Sequence, residues 1–392
     1  MSRISINWRK ALTCCAAILC LATSVQARET VKVGFVGPLT GGVSAIGVGG
    51  RNSAELAVKE RNEDPDRKFD YLFVSYDDEC KPNIGIQVAT KLASDRKVAA
   101  AVTHYCSAVA LGTVDIYHRF HMPAVVWGAV HPGITYGNDY KEIFRTPGTM
   151  INQNQVAAKF MSDQGYKTFA IIHDITDYGK SHKDYFTQFI TEQGGKVIET
   201  FGVTPDQQDF TAELTKIKSL HPDVIYFGGL VPVGVRVRSQ MEKLGIDAQF
   251  EGVSGIKSDA FVTGVGNEAA EGTLSFIEGT PLEKLPGGDA FLKSYKDHGY
   301  AESAEAYGPF AYASMKLVLD TIESTGPNRE KIVEALSAVK GKDTLVGKVT
   351  FDDHGQNIEP AVSTFVVQDG QWVFWSDSDY ASGKRQLKHP NK

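Results

Sequence analysis

One rhythm runs through this chain twice, and it restricts the fold to the α/β class. Short apolar, β-rich runs alternate with longer helical patterns: "VKVGFVG" (31–37), a helix through "GGRNSAELAVKERNE", "YLFVSYDD" (71–78), a helix over 83–94, and "VAAAVTH" (98–104). A helix over "ALGTVDIYHRF", a strand "PAVVWGA" (123–129) and "EIFRTPG" (142–148) follow. After "TMINQNQ" the pattern restarts with "TFAIIHD" (168–174), a helix over 183–192, "KVIETFGV" (196–203), a helix over 210–219, "DVIYFGG" (223–229), a helix over 234–244 and "AQFEGVSG" (248–255). Strands separated by helical crossovers predict parallel sheets. Two such units predict two doubly wound lobes with a cleft between them.

The remaining segments are too few for a third unit. "GTLSFIEG" (272–279) reads as a strand, 305–325 as one long helix, "REKIVEALSAV" as another, and "TFVVQDGQWVFW" (364–375) as a hairpin turning at Asp369-Gly370. These pieces must return to the first lobe and cross over again. The expected division is 28–148 with 278–355 in the first lobe and 149–277 with 356–392 in the second.

Residues 1–27 read as an export signal. Arg3, Arg9 and Lys10 form a basic start, "ALTCCAAILCL" an apolar core about half as long as a membrane span, and "VQA" a small-residue cleavage point after Ala27. Cleavage removes three of the five cysteines and leaves Cys80 and Cys106 in an oxidising compartment. A disulfide between them would close a loop of roughly 26 residues and contribute somewhat over 3 kcal/mol in the chain-entropy account. Two buried free thiols are the alternative; zinc is disfavoured, because no C-x-x-C is present. Removing Arg3, Arg9 and Lys10 from the 41 basic residues leaves 38 against 47 acidic ones, a formal charge near −9. That balance argues against nucleic acid or an anionic lipid surface as the main partner.

In open α/β sheets, ligands sit beyond the carboxyl ends of strands, near helix N-termini. Ser107 follows such a strand end and is expected to cap the next helix. Free amides at Ser107 and Ala108, with the positive end of the helix dipole, would also seat a carboxylate. Each charge-assisted bond there would contribute about 1.5–3 kcal/mol. Tyr105 and Trp127 flank the same strand ends, and Trp127 reads equally as an aromatic ligand wall or a core tryptophan.

The segments "GFVGPLTGG", "SYDDEC", "THYCSA", "FRTPG", "IIHDITDYGKS" and "DVIYFGG", in this order from about residue 31 to about 370, resemble the periplasmic leucine/isoleucine/valine-binding proteins. These are the substrate-binding components of branched-chain amino-acid ABC importers. The resemblance implies a type I periplasmic binding protein, a monomer without cofactor, whose lobes close over a small ligand and present it to an inner-membrane permease. Family members bridge the cysteines that match Cys80 and Cys106. By the same resemblance the carboxylate-gripping serine is Ser107, the second-lobe tyrosine is Tyr178, and the carbonyl that takes the ammonium belongs to Gly128.

Other family positions depart from the pattern. The threonine that contacts carboxylate and ammonium falls at Val130, the ammonium's acidic partner at Ser254, a second-lobe tyrosine at Leu230 and a first-lobe tyrosine at Ile46. Glu251, Asp174 or Glu278 could restore the missing charge from another direction; otherwise the ligand is an amine-free aromatic or oxo acid, or an amide. An enzyme is the competing class, since His118, His121, His131, His173 and Asp174 could do chemistry. No H-E-x-x-H, G-x-S-x-G, P-loop or G-x-G-x-x-G spacing accompanies them. "FDDHGQN" (351–357) falls short of a calcium loop. A regulator on this fold would need a DNA-binding head, and a receptor ectodomain a span after Trp375, where 376–392 is polar. Binding without turnover is the expectation.

Overall fold

A computed structural model describes residues 28–388, so the expected signal and its cleavage point lie outside the described residues. Five strands form one sheet: β1 (Thr30–Gly37), β2 (Asp70–Asp77), β3 (Val98–Thr103), β4 (Ala124–Val126) and β5 (Ile143–Arg145), in the order β2-β1-β3-β4-β5 and all parallel. Helices cover both faces, so every residue of β3 is buried and the strand reads VAAAVT with no polar alternation.

The second sheet has seven strands. β6 (Thr168–Asp174), β7 (Lys196–Val203), β8 (Val224–Gly228), β9 (Gln249–Val253) and β10 (Leu274–Glu278) run parallel. After a two-stranded ribbon, β11 (Lys342–Thr344) with β12 (Gly347–Val349), the strand β13 (Val362–Gln368) pairs antiparallel with β10 and forms the expected hairpin with β14 (Gln371–Phe374). The order is β14-β13-β10-β9-β8-β6-β7.

Between β10 and β13 the chain returns to the first sheet. The helix Gly308–Thr325 presents Phe310, Ala311, Met315, Val318 and Ile322 to a core shared with Phe35, Val102 and Trp127. Among the described residues, no helix is long and apolar enough to cross a membrane.

Several boundaries differ from the sequence reading. The helix expected over "ALGTVDIYHRF" is two short ones, Ser107–Leu111 and Val114–Arg119. Between them Thr113 Oγ1 donates back to the Ala110 carbonyl at 3.0 Å, competing with the helical ladder. The helix expected from 183 begins at Asp177, capped by Thr176. "TMINQNQ" opens the helix Met150–Asp163, started by a Thr149–Asn152 capping box. Gln356 and Asn357, expected beyond the last crossover, still pair along Arg145 at the edge of the first sheet.

Arg145 fixes that edge. Its guanidinium is fully buried and donates to Gln356 Oε1 (2.6 Å), to the carbonyls of His131 (2.6 Å) and Ala129 (3.3 Å), and to Thr135 Oγ1 (2.9 Å). Arg145→Met would orphan these acceptors in the interior, and a stability loss of about 3 kcal/mol is expected. A urea midpoint matching that of the unaltered protein would refute this role.

Candidate functional site

The carboxyl ends of strands from both sheets converge on one narrow cavity of ≈ 40 Å³. The first sheet supplies Tyr105, Cys106, Ser107 and Ala108 after β3 and Gly128 after β4. The second supplies Thr176 and Tyr178 after β6, Leu230 after β8 and Ser254 after β9. Cys80 and Tyr307 complete the wall. That volume is well below the range for small-molecule sites, so the lobes stand nearly shut on each other.

Cys80 and Cys106 are bridged, with Cα atoms 5.5 Å apart. A buried chain of polar groups braces the bridge. His104 Nδ1 meets Asp78 Oδ2 at 2.9 Å, His104 Nε2 meets the Tyr117 hydroxyl at 2.8 Å, and Asp78 Oδ1 accepts from the Cys80 amide at 2.9 Å. Cys80 (φ 56°) and His104 (φ 56°) both adopt left-handed backbone, a conformation costly for side-chain-bearing residues and held here by these bonds.

Ser107 is the first residue of its short helix, and the cap position falls to Cys106, which makes no side-chain cap bond. Ser107 Oγ instead accepts from the His131 amide at 3.3 Å. The expected capping role is therefore replaced, while the hydroxyl still lines the cavity.

Of the residues singled out by sequence, Tyr105, Ser107, Ala108, Gly128, Tyr178, Leu230 and Ser254 lie together on the wall. Trp127 and Val130 do not. Trp127 is fully buried in the first-lobe core, its ring 5.4 Å from that of Phe35, its Nε1 donating to the Val36 carbonyl at 3.1 Å. Glycine makes that placement feasible, since a Cβ on Gly50 would come within 2.7 Å of the indole. The Trp127 ring meets the site through Tyr105, 5.7 Å away between ring centroids. Val130 packs against second-lobe residues, and Ile46 lies in the first-lobe core. The wall also includes Thr176, within the segment "IIHDITDYGKS", and Tyr307, which has no local signal in the sequence.

No lining residue is charged. On the second-lobe side, the Tyr178 hydroxyl accepts from the Gly255 amide (3.0 Å) and shares a hydrogen bond with Ser254 Oγ (3.2 Å), which in turn accepts from Gln153 Nε2 (3.0 Å). The Tyr307 hydroxyl donates to Glu278 Oε2 at 2.7 Å. Burial raises the Glu278 carboxyl's pKa, against which the Tyr307 bond and Arg145 act; its Oε1 has no hydrogen-bond partner among the described residues.

Of the other two acids considered, Asp174 is occupied by the Thr176 amide and hydroxyl. Glu251, buried within β9 and held well above the usual carboxylate range by desolvation, is absent from the wall. The remaining histidine candidates stand apart: His118 and His121 both direct Nδ1 to Glu142, and no group among the described residues could hold a metal ion.

Two lobes of parallel sheet with a cavity at facing strand ends define a cleft-type ligand binder, and residues 30–371 match the family described as Periplasmic binding protein. The chain belongs to that family. It is 32% identical over 346 residues to a leucine-, isoleucine-, valine-, threonine- and alanine-binding protein of Pseudomonas aeruginosa, covering 86% of this chain and 90% of that one. It shares its fold with a leucine binding protein of Thermotoga maritima (TM-score 0.81, 24% identity, 92% and 99% of the two chains). A solute binding protein of R. palustris solved in complex with benzoate also shares the fold (TM-score 0.79, 19% identity, 92% and 97%).

The disulfide gives a direct test. A chain of residues 28–392 unfolded without reductant should titrate no free thiol, and replacing both Cys80 and Cys106 by serine should cost about 3 kcal/mol, read from urea unfolding. Two titrating thiols would remove the bridge from this account.

Proposed function

We propose that this protein is the periplasmic substrate-binding component of an ABC-type importer. It captures a small carboxylate-bearing ligand between its lobes and delivers it to a membrane permease. The carrying observation is the cavity itself, closed by both lobes and walled by Ser107, Ala108 and Gly128 on one side and Tyr178, Leu230 and Ser254 on the other. The Ser107 hydroxyl proton, with the amides that open its helical turn, would receive the carboxylate. Leu230 and the rings of Tyr105, Tyr178 and Tyr307 would enclose an apolar body. Ligand contacts in both lobes stabilise the closed form, and the permease reads that form.

The relatives' specificities favour a hydrophobic or branched-chain amino acid. In that reading Glu278, one hydroxyl behind the wall through Tyr307, balances the ammonium. A second reading, an amine-free aromatic or oxo acid, is favoured by the uncharged wall, since a buried ammonium without an anion is costly.

A thermal-shift panel on unfolded and refolded mature protein separates them, using leucine, valine, phenylalanine, their oxo acids, benzoate and short amides. A ligand at 100 times its Kd adds about 2.7 kcal/mol and moves the midpoint by several degrees. Ser107→Ala should weaken binding of whichever acid shifts the midpoint by about 1–3 kcal/mol. Unchanged affinity would sink the carboxylate seat. Glu278→Gln should abolish an amino acid's shift and spare that of an amine-free acid. Equal loss of both classes would deny Glu278 the counter-charge role.

A further inference from the structure

His131 joins the two lobes beside the cavity. Its backbone amide donates to Ser107 Oγ at 3.3 Å, and its carbonyl accepts from Arg145 at 2.6 Å, so the residue is anchored in the first lobe. Its ring reaches the second lobe: Nε2 lies 2.9 Å from Ser181 Oγ, on the helix Asp177–Glu192. The other ring nitrogen, Nδ1, accepts from the Gly133 amide at 3.0 Å. A nitrogen that accepts from an N–H carries no proton, so the ring is the neutral Nε2–H tautomer and donates to Ser181.

We infer that His131 is a positioning residue for ligand capture: as a neutral imidazole it latches the first lobe to Ser181 across the mouth of the cleft while its amide sets the Ser107 hydroxyl, and its protonation releases the latch. The inference rests on reading the cleft as one that closes over a ligand. Adding a proton at Nδ1 turns the acceptor of the Gly133 amide into a donor and breaks the bond that holds the ring opposite Ser181; the Nε2–H donor itself survives, so the latch is released by displacement of the ring.

The surroundings act in the same direction. Burial lowers the ring's pKa, Arg145 lowers it further, and only Asp177, in the first turn of the facing helix, opposes them. His182, next to Ser181, is itself held neutral by burial, at about 3, and supplies no compensating charge. The closed form thus prefers the neutral ring, whereas opening restores a value near 6.5. A histidine depressed in the closed state favours closure above about pH 6.5 and disfavours it as pH falls. Between pH 8 and pH 5 the closed-to-open ratio should drop by up to about 30-fold, the protonation factor of a free imidazole over that interval.

The test needs no ligand, so its failure is distinct from failure of the transport reading. Cysteines introduced at the exposed positions Asp139 and Gln188, one in each lobe, take a donor and acceptor dye, and the closed fraction of stripped protein is followed by single-molecule energy transfer from pH 8 to pH 5. The unaltered protein should open on acidification. His131→Gln, which keeps an N–H donor but cannot titrate, should stay closed throughout. Ser181→Ala, a helix-surface change that spares the fold, should be as open at pH 8 as the unaltered protein is at pH 5. The latch is overturned if His131→Gln follows the unaltered pH curve, if Ser181→Ala closes normally at pH 8, or if no closed form exists at pH 8.

Discussion

A single buried cation organises the border between the lobes. Arg145 has no carboxylate in direct contact; carbonyls, one hydroxyl and one amide oxygen surround it, and burial draws its pKa down to about 10. Taking a guanidinium out of water is expensive, and only a complete set of acceptors offsets it. That requirement dictates the backbone around it. The segment after β4 must turn its carbonyls inward at Ala129 and His131, and the returning chain must bring Gln356 alongside β5, where Gln356 Nε2 also holds the Pro147 carbonyl at 3.0 Å. The backbone on either side of Val130, next to Gly128 on the cleft wall, is thus held by this one charge.

The sheets were legible because parallel strands buried on both faces leave continuous apolar runs, and the cavity was legible because strand ends are where such sheets bind. Ser107, Tyr178, Leu230 and Ser254, each following a different strand, meet around one cavity for that reason. What stayed hidden depends on contacts remote in sequence. Trp127 reads as well for a ligand wall as for a core, and the deciding factor is the bare backbone of Gly50, some 77 residues earlier, which lets the indole lie flat in the interior. Tyr307 precedes a long helix and carries no signature; it becomes part of the site only because that helix returns to the first sheet. The capping role expected of Ser107 shifted by one residue: Cys106, bridged to Cys80, takes the extended cap position and the serine enters the first turn.

Electrostatically, the cavity separates charge from contact. Its wall is neutral, while one carboxyl, Glu278, lies behind it with an oxygen lacking a hydrogen-bond partner among the described residues. Hydroxyls bridge the gap: Tyr307 reaches Glu278, and Tyr178 and Ser254 reach Gln153. The cavity thus presents hydroxyl groups backed by one acid and one amide, an arrangement that places no formal charge on the wall.

The helix Gly308–Thr325 covers a sheet whose last strand ends near residue 145, so the first sheet keeps an apolar face bare until some 160 more residues have been made. At ribosomal rates of about 5–20 residues per second that delay is on the order of 10 s. The chain is thus denied early collapse by its own connectivity. A polypeptide that must be threaded through a translocation pore before folding gains from such lateness; one that lingered afterwards would offer its uncovered sheet to neighbours.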